Sequence, residues 1–205
     1  MQKKILSLGL MSGTSADGVD ASIIQSNGVD QYELILDKYF EYEKSTFKKI
    51  HSVKDRINKY EDLDKYQKEI WNLEREITLF HAKIVSDINQ KYKDFIVGFH
   101  GQTIYHNAQE KISFQLGDAK LLSQLVKKKI VYNFRKNDIL NGGQGAPLTP
   151  IFHKLIVLKN KIKTPVCILN IGGISNITSI INLNNFSEIK SRDLGPGNCL
   201  IDNWV

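Results

Sequence analysis

Residues 5–25 constrain the fold more than any other stretch. An apolar run, Ile5-Leu6-Ser7-Leu8-Gly9-Leu10-Met11, stops at Ser12-Gly13-Thr14-Ser15-Ala16-Asp17-Gly18, and a second run alternates around Val19, Ala21 and Ile23. Period-two alternation marks a half-buried strand. Two such runs around a turn rich in glycine and aspartate mark a hairpin. Residues 5–10 and 19–25 are therefore expected to pair, and residues 32–42 to extend them into a meander. The turn is also dense in groups that suit phosphate. Gly9, Gly13 and Gly18 let the backbone approach an anion with its N–H groups. Ser12, Thr14 and Ser15 add hydroxyls, and Asp17 or Asp20 could hold Mg²⁺ through its waters. No Gly-Lys-Ser/Thr follows, so this is not a P-loop. A strand rather than a helix follows, so it is not a dinucleotide fingerprint. A plain Asp-Gly turn at Asp17-Gly18 accounts for the same residues, and the turn alone leaves both readings open.

The next stretch is helical. Ser45 or Thr46 is a candidate N-cap for a helix over residues 47–57. Leu63, Tyr66, Ile70, Leu73, Ile77, Phe80, Ile84 and Ile88 then recur at spacings of three and four, one apolar stripe on a long helix. A dimeric coiled coil is the alternative, but the stripe spans barely four heptads and favours a helix facing the chain's own core. Beyond residue 94 short strands and helices alternate. Strands are expected at 95–99, 112–116 and 129–134, and helices at 118–127, capped by Asp118, and at 147–158, with Pro147 in the first turn. Residues 166–171 and 174–181 flank Gly172-Gly173 as a second hairpin, and Pro196 is expected to open a last helix. The pattern is α/β with mixed sheets.

Composition narrows the class of partner. The 205 residues are 41% hydrophobic and 24% charged, with a net charge of +6. The excess is lysine, scattered except at Lys127-Lys128-Lys129, without an aromatic-interleaved basic stripe; a solvated surface is favoured over nucleic-acid binding. No run approaches the roughly 18 apolar residues of a membrane span. The apolar start is too short for a signal peptide, and two scattered cysteines, Cys167 and Cys199, make no disulfide framework, so the cytoplasm is the expected compartment.

Three further motifs carry polar chemistry. Asn170-Ile171-Gly172-Gly173-Ile174-Ser175-Asn176 repeats the glycine-turn logic, with Gly172, Gly173, Ser175 and Asn176 as a second phosphate contact or, again, a plain hairpin. Asp193-Leu194-Gly195-Pro196-Gly197-Asn198 sets a carboxylate before a Gly-Pro step, as a general base or as an acid stabilised by a helix N-terminus. His100 and Gln102 lie in His100-Gly101-Gln102-Thr103, expected as a polar turn at a strand end. Arg135 and Asp138 precede Gly142-Gly143-Gln144-Gly145-Ala146-Pro147 and could fork onto sugar hydroxyls or a carboxylate, or pair with each other. His153 and Cys199 read as structural.

Taken in order, residues 9–21, 98–106, 115–118, 134–153, 170–178 and 193–202 resemble the anhydro-N-acetylmuramic acid kinase family of the sugar kinase and actin group. The resemblance implies an actin-like ATPase (ribonuclease H-like) α/β fold with mixed sheets: an N-terminal lobe over residues 1–128, with the hairpin and a helical insert, and the start of a second lobe over 129–205. It implies that ATP and water convert 1,6-anhydro-N-acetylmuramic acid into N-acetylmuramic acid 6-phosphate, in cell-wall recycling. Gly13, Thr14, Ser15, Ala16, Asp17, Gly18, Val19 and Asp20 would hold ATP, and Asp193 would activate the water. His100, Gln102, Arg135 and Asp138 would line the sugar pocket, with Mg²⁺ near Asp17 or Asp20. Asn133 stands where an aspartate is expected. The family's chains continue beyond the Asp193 motif, so the second lobe is expected to be incomplete and the adenosine-binding part absent. The alternative to an enzyme is then a non-catalytic remnant. A homodimer, or a separate chain supplying the missing part, is the expected protein partner.

Overall fold

The computed structural model describes residues 3–202 and 204. Strands β1 (Ile5–Ser12), β2 (Gly18–Ser26) and β3 (Tyr32–Glu41) form the expected antiparallel meander. Register decides the faces: Leu8 lies opposite Ile23 and Leu10 opposite Ala21, and these four side chains, with Val19, are buried. The alternate residues, Ser7, Gly9 and Ser22, occupy the other face, as the period of two requires.

Helices α1 (Lys44–Lys54), α2 (Asp62–Lys65) and α3 (Gln67–Lys91) follow. The long stripe breaks at Tyr66 into α2 and α3. Leu63, Ile70, Leu73, Ile77, Ile84 and Ile88 are buried in the chain's own core, so the stripe faces inward. Each buried isoleucine or leucine contributes about 1.5–3 kcal/mol relative to exposure. The expected cap at Ser45 or Thr46 is absent. α1 starts at Lys44, and Thr46 instead donates to Glu76 on α3.

Strand β4 (Phe95–Asn107) is more than twice the expected length. Residues 100–103 are no polar turn. They continue the strand because β4 changes neighbours along its length: its first half lies parallel to β1, and its second half is antiparallel to β5 (Ile112–Leu116). Gly101, at φ +73°, bends the strand between the two, and a Cβ there would collide with the Leu116 carbonyl. Helix α4 (Ala119–Val126) is capped as expected, with the Asp118 carboxylate accepting from the amides of Lys120 and Leu121 at 2.9 Å. The expected strand at 129–134 shrinks to β6 (Ile130–Val131), parallel to β4. It ends where Asn133, at φ +60°, turns the chain into α5 (Phe134–Leu140). Asparagine tolerates that left-handed conformation better than most residues, and its side chain caps nothing. The first sheet therefore runs β3-β2-β1-β4-β5, with β6 against β4.

Helix α6 (Pro150–Lys159) begins at Pro150, three residues later than expected. Pro147 lies in the loop before it. Strands β7 (Val166–Ile171), β8 (Ile174–Ile180) and β9 (Ile189–Pro196) form a second, antiparallel sheet, with a 3₁₀ turn at Phe186–Glu188. Pro196 closes β9 rather than opening a helix; α7 (Cys199–Asp202) starts beyond it. His153 is structural, as expected: it is buried, with Nδ1 2.8 Å from the Thr178 hydroxyl, and ties α6 to β8. Among the described residues no helix is long and apolar enough to cross a membrane.

Candidate functional site

The turn between β1 and β2 is held by its carbonyls. The Gly13 carbonyl accepts from Gln102 Nε2 at 2.9 Å and the Thr14 carbonyl from Lys54 Nζ at 2.9 Å. Ser15 O lies 2.9 Å from His51 Nε2, which must carry the proton because a carbonyl only accepts. Asp17 O accepts from the Tyr42 amide at 2.8 Å, and Gly18 O from the Ser12 hydroxyl at 2.9 Å. Ala16 bonds back to Gly13 across the turn and sits at φ +56° with its side chain fully buried. Among the described residues the amides of Thr14, Ser15 and Asp17 have no acceptor. Free N–H groups on a turn whose Gly13, Thr14, Ser15, Asp17 and Gly18 carbonyls are engaged form the kind of array that suits an anion.

The second glycine turn meets the first. Gly173 is so close to Thr14 that a Cβ on it would lie 2.8 Å from the threonine hydroxyl. This turn is held by the same device: Gly197 N donates to Gly173 O at 2.9 Å and Asn198 N to Gly172 O at 2.7 Å. A Cβ on Gly197 would run into the Gly172 carbonyl, so only glycine fits. The Gly195-Pro196-Gly197-Asn198 segment therefore folds over the second turn. Asp193 stands in β9, two residues before this segment, and pairs in register with Asn176. Asn176 Oδ1 is buried with no partner among the described residues, an acceptor that calls for a donor.

Arg135 and Asp138 do not pair with each other. They grip Gly145 from two sides: Arg135 Nη1 donates to its carbonyl at 2.8 Å, and its amide donates to Asp138 Oδ2 at 2.8 Å. Arg135 Nε also donates to His100 Nε2 at 2.8 Å, while His100 Nδ1 donates to Gly101 O at 2.7 Å. His100 is thus neutral, with its proton on Nδ1. Burial and the adjacent guanidinium push its pKa down to about 4. Burial lowers Arg135 as well, opposed by the Asp193 charge. The same carboxylate raises His106, which burial and Arg135 lower more. Arg135, His106 and Asp193 thus share one electrostatic neighbourhood, and the described ion pairs include none between Arg135 and Asp193.

The expected residues divide into three groups. Gly13, Thr14, Ser15, Asp17 and Gly18 form the first turn, met by Gly172 and Gly173. Ser175 and Asn176 follow on β8. His100, Arg135 and Asp138 form a cluster around Gly145 that feels the Asp193 charge. Two side chains named for ATP, Ala16 and Val19, are fully buried, so they serve the core and offer a ligand only backbone. Gln102 is fully buried with its amide engaged by Ser12 and Gly13. It fastens the turn instead of facing a sugar. Asp138 likewise fastens the Gly143–Gly145 loop. His106, Tyr42, His51 and Lys54 carried no sequence signal. The last two act from a helix 36 and 40 positions away, which no local pattern reports.

Asp17 and Asp20 fit a cation only loosely. Burial raises the pKa of Asp20, and the charges of Asp37 and Asp17 raise it further, so added positive charge is favourable there. Among the described residues no three His, Cys, Asp or Glu side chains converge to bind an ion directly. Contact through water is the arrangement that fits.

A mixed sheet, a second antiparallel sheet, two glycine turns in contact and a half-buried Arg-His pair define an α/β protein of the sugar kinase and actin-like ATPase type. The match to the model of the anhydro-N-acetylmuramic acid kinase family runs over residues 5–205, and the chain belongs to that family. Relatives carrying the name anhydro-N-acetylmuramic acid kinase include one from Pelagibacter ubique (strain HTCC1062), 60% identical over 207 residues, covering 100% of this chain and 55% of that protein. The relative from Gluconobacter oxydans (strain 621H) is 38% identical, covering 98% of this chain and 56% of its own. That from Agrobacterium fabrum (strain C58 / ATCC 33970) is 34% identical, covering 97% and 54%. The chain spans about half the length of the curated relatives it matches.

Proposed function

We propose that this chain carries the phosphate-gripping and base-bearing part of an ATP-dependent kinase that opens 1,6-anhydro-N-acetylmuramic acid and phosphorylates it at O6, in cytoplasmic recycling of cell-wall sugar. The observation that carries this is the meeting of two glycine turns, each fastened through backbone carbonyls, in a chain that also brings Asp193, Arg135 and His106 into one electrostatic neighbourhood. Residues 1–128, joined by β6, serve as one lobe, and the chain beyond begins the second. The Asp193 carboxylate takes a proton from water. The resulting hydroxide bonds to C1 of the sugar, the C1–O6 bond breaks, and O6 attacks the γ-phosphorus. The bond from that phosphorus to the bridging oxygen breaks and ADP leaves. The proton on Asp193 passes to solvent. Asp193 suits the base: it is exposed and stands beside the turns.

Arg135 is the residue to meet the acidic side chain of the sugar. Its Nε and Nη1 are held by His100 and Gly145, so the guanidinium is fixed before substrate arrives. Mg²⁺, held through water by Asp17 or Asp20, would offset charge on the phosphates. A non-catalytic remnant is the rival reading. The test is ADP release in the presence of anhydro-N-acetylmuramic acid and Mg-ATP, with the 205-residue chain alone and with the C-terminal remainder of the Pelagibacter ubique relative supplied as a second chain. Turnover in either case that is abolished by Asp193→Asn supports the kinase. Turnover that survives Asp193→Asn removes the base, and silence in both favours the remnant.

A further inference from the structure

The helical insert is the part of the chain with the least obvious role, yet two of its polar side chains end on the phosphate turn. His51 and Lys54 lie three apart on α1 and so share a face. Phe47, one turn earlier, stacks against His51 with ring centroids 4.3 Å apart. On the adjoining face of the helix Ile50 and Val53 are buried in the core. The helix therefore cannot roll away from the turn without exposing them.

We propose that Lys54 and His51 are positioning residues for the anion grip. They hold the Thr14 and Ser15 carbonyls so that the turn presents N–H groups, not oxygens, to a polyphosphate. This rests on the reading of residues 12–18 as a phosphate site. Three observations support it. Thr14 and Ser15 are the tip of the turn, and the only protein donors to their carbonyls among the described residues come from α1. The amides left free are on the same residues and on Asp17. The surroundings are otherwise acidic: burial raises the pKa of Asp20, and the charges of Asp37 and Asp17 raise it further. Lys54 thus brings the one ammonium bonded to this turn, and only one of its three donors is engaged by Thr14. A hydrogen bond from a charged donor is worth more than a neutral one, and its loss frees the tip to turn a carbonyl outward.

Two readouts on the 205-residue chain test this. The first, exchange of the Ala16 amide by NMR, reports the turn without any ligand. The second is calorimetric affinity for Mg-ATP and for inorganic tripolyphosphate. Lys54→Ala is expected to speed Ala16 exchange about tenfold and weaken tripolyphosphate about tenfold, the loss of one charge-assisted bond. His51→Ala changes both in the same direction, and Lys54→Arg restores both. The Val97 amide, in the core of β4, stays protected throughout and marks a folded chain. Lys54→Met keeps the apolar stem and should behave as Lys54→Ala does. Unchanged Ala16 exchange in Lys54→Ala overturns the proposal, as does faster exchange with unaltered affinity. If the unsubstituted chain takes up neither probe, the phosphate reading of the turn fails, and exchange alone decides whether the latch exists.

Discussion

Gln102→Met removes one of the five fasteners of the turn while nearly keeping side-chain volume. Gln102 is fully buried. Its Nε2 donates to Gly13 O at 2.9 Å, and its Oε1 lies against the Ser12 hydroxyl. Both bonds are lost in the variant, at about 1 kcal/mol each, net of water. The larger penalty of about 1–3 kcal/mol for a bare buried group does not apply. Ser12 keeps Gly18 O at 2.9 Å, and Gly13 O keeps the Ala16 amide at 3.2 Å. The expected cost is therefore about 2 kcal/mol. With a urea slope of about 2 kcal/mol per molar, the midpoint falls by about 1 M. Gln102→Ala adds a cavity and should cost about twice as much. Urea titration followed by tryptophan fluorescence measures both. A midpoint shift under about 0.3 M for Gln102→Met, or equal shifts for the two variants, refutes the reasoning.

Acid should unfold the chain through its histidines. His81 and His100 both have pKa values pushed down to about 4, chiefly by burial. Unfolding lets them take a proton below about 6.5, so their contribution is full above that pH and is lost as pH falls toward 4. The loss is about 2 kcal/mol per histidine at pH 5. His81→Phe, next to Phe99, should shrink the drop in urea midpoint between pH 7.5 and pH 5; an unaltered drop counts against it. Gly197→Ala should break the ties to Gly172 and Gly173 and cost about 2 kcal/mol. Faster exchange of the Asn198 amide, with Ala16 unaffected, is the expected signature, and normal Asn198 protection contradicts it. Asp118→Ala should cost about 1 kcal/mol by uncapping α4, read as a lower thermal midpoint; no change means the cap is redundant.

Elements set by local pattern were legible in the sequence. The Val19-Ala21-Ile23 alternation placed β2, and the stripe from Leu63 to Ile88 placed the helices with their buried face. Asp118 placed a cap. What was illegible depends on partners far along the chain. The polar quartet at His100–Thr103 looks like a turn, and only its pairing with β1 and β5 makes it strand. Pro147 and Pro150 are equivalent by propensity, and the packing of α6 chooses the second. The candidate site shows the same division. Glycines and hydroxyls flagged both turns, and Asp193 stood out by its neighbours. Gln102 was named for a sugar, but a glutamine that closes a turn and one that binds a ligand look alike until burial is known. His51 and Lys54 were hidden among the ordinary charges of a helix.

The donors that fasten the first turn come from positions 12, 42, 51, 54 and 102. β1 and β2 can zip together early, since they are neighbours in the chain. The loop between them reaches its final shape only after β3, α1 and β4 have docked, the last from about 90 residues away. The turn therefore behaves as a checkpoint on assembly. A chain with an unfinished first sheet leaves those carbonyls without their donors, and on the proposed reading of the turn an anion finds its seat only on a lobe that has completed folding.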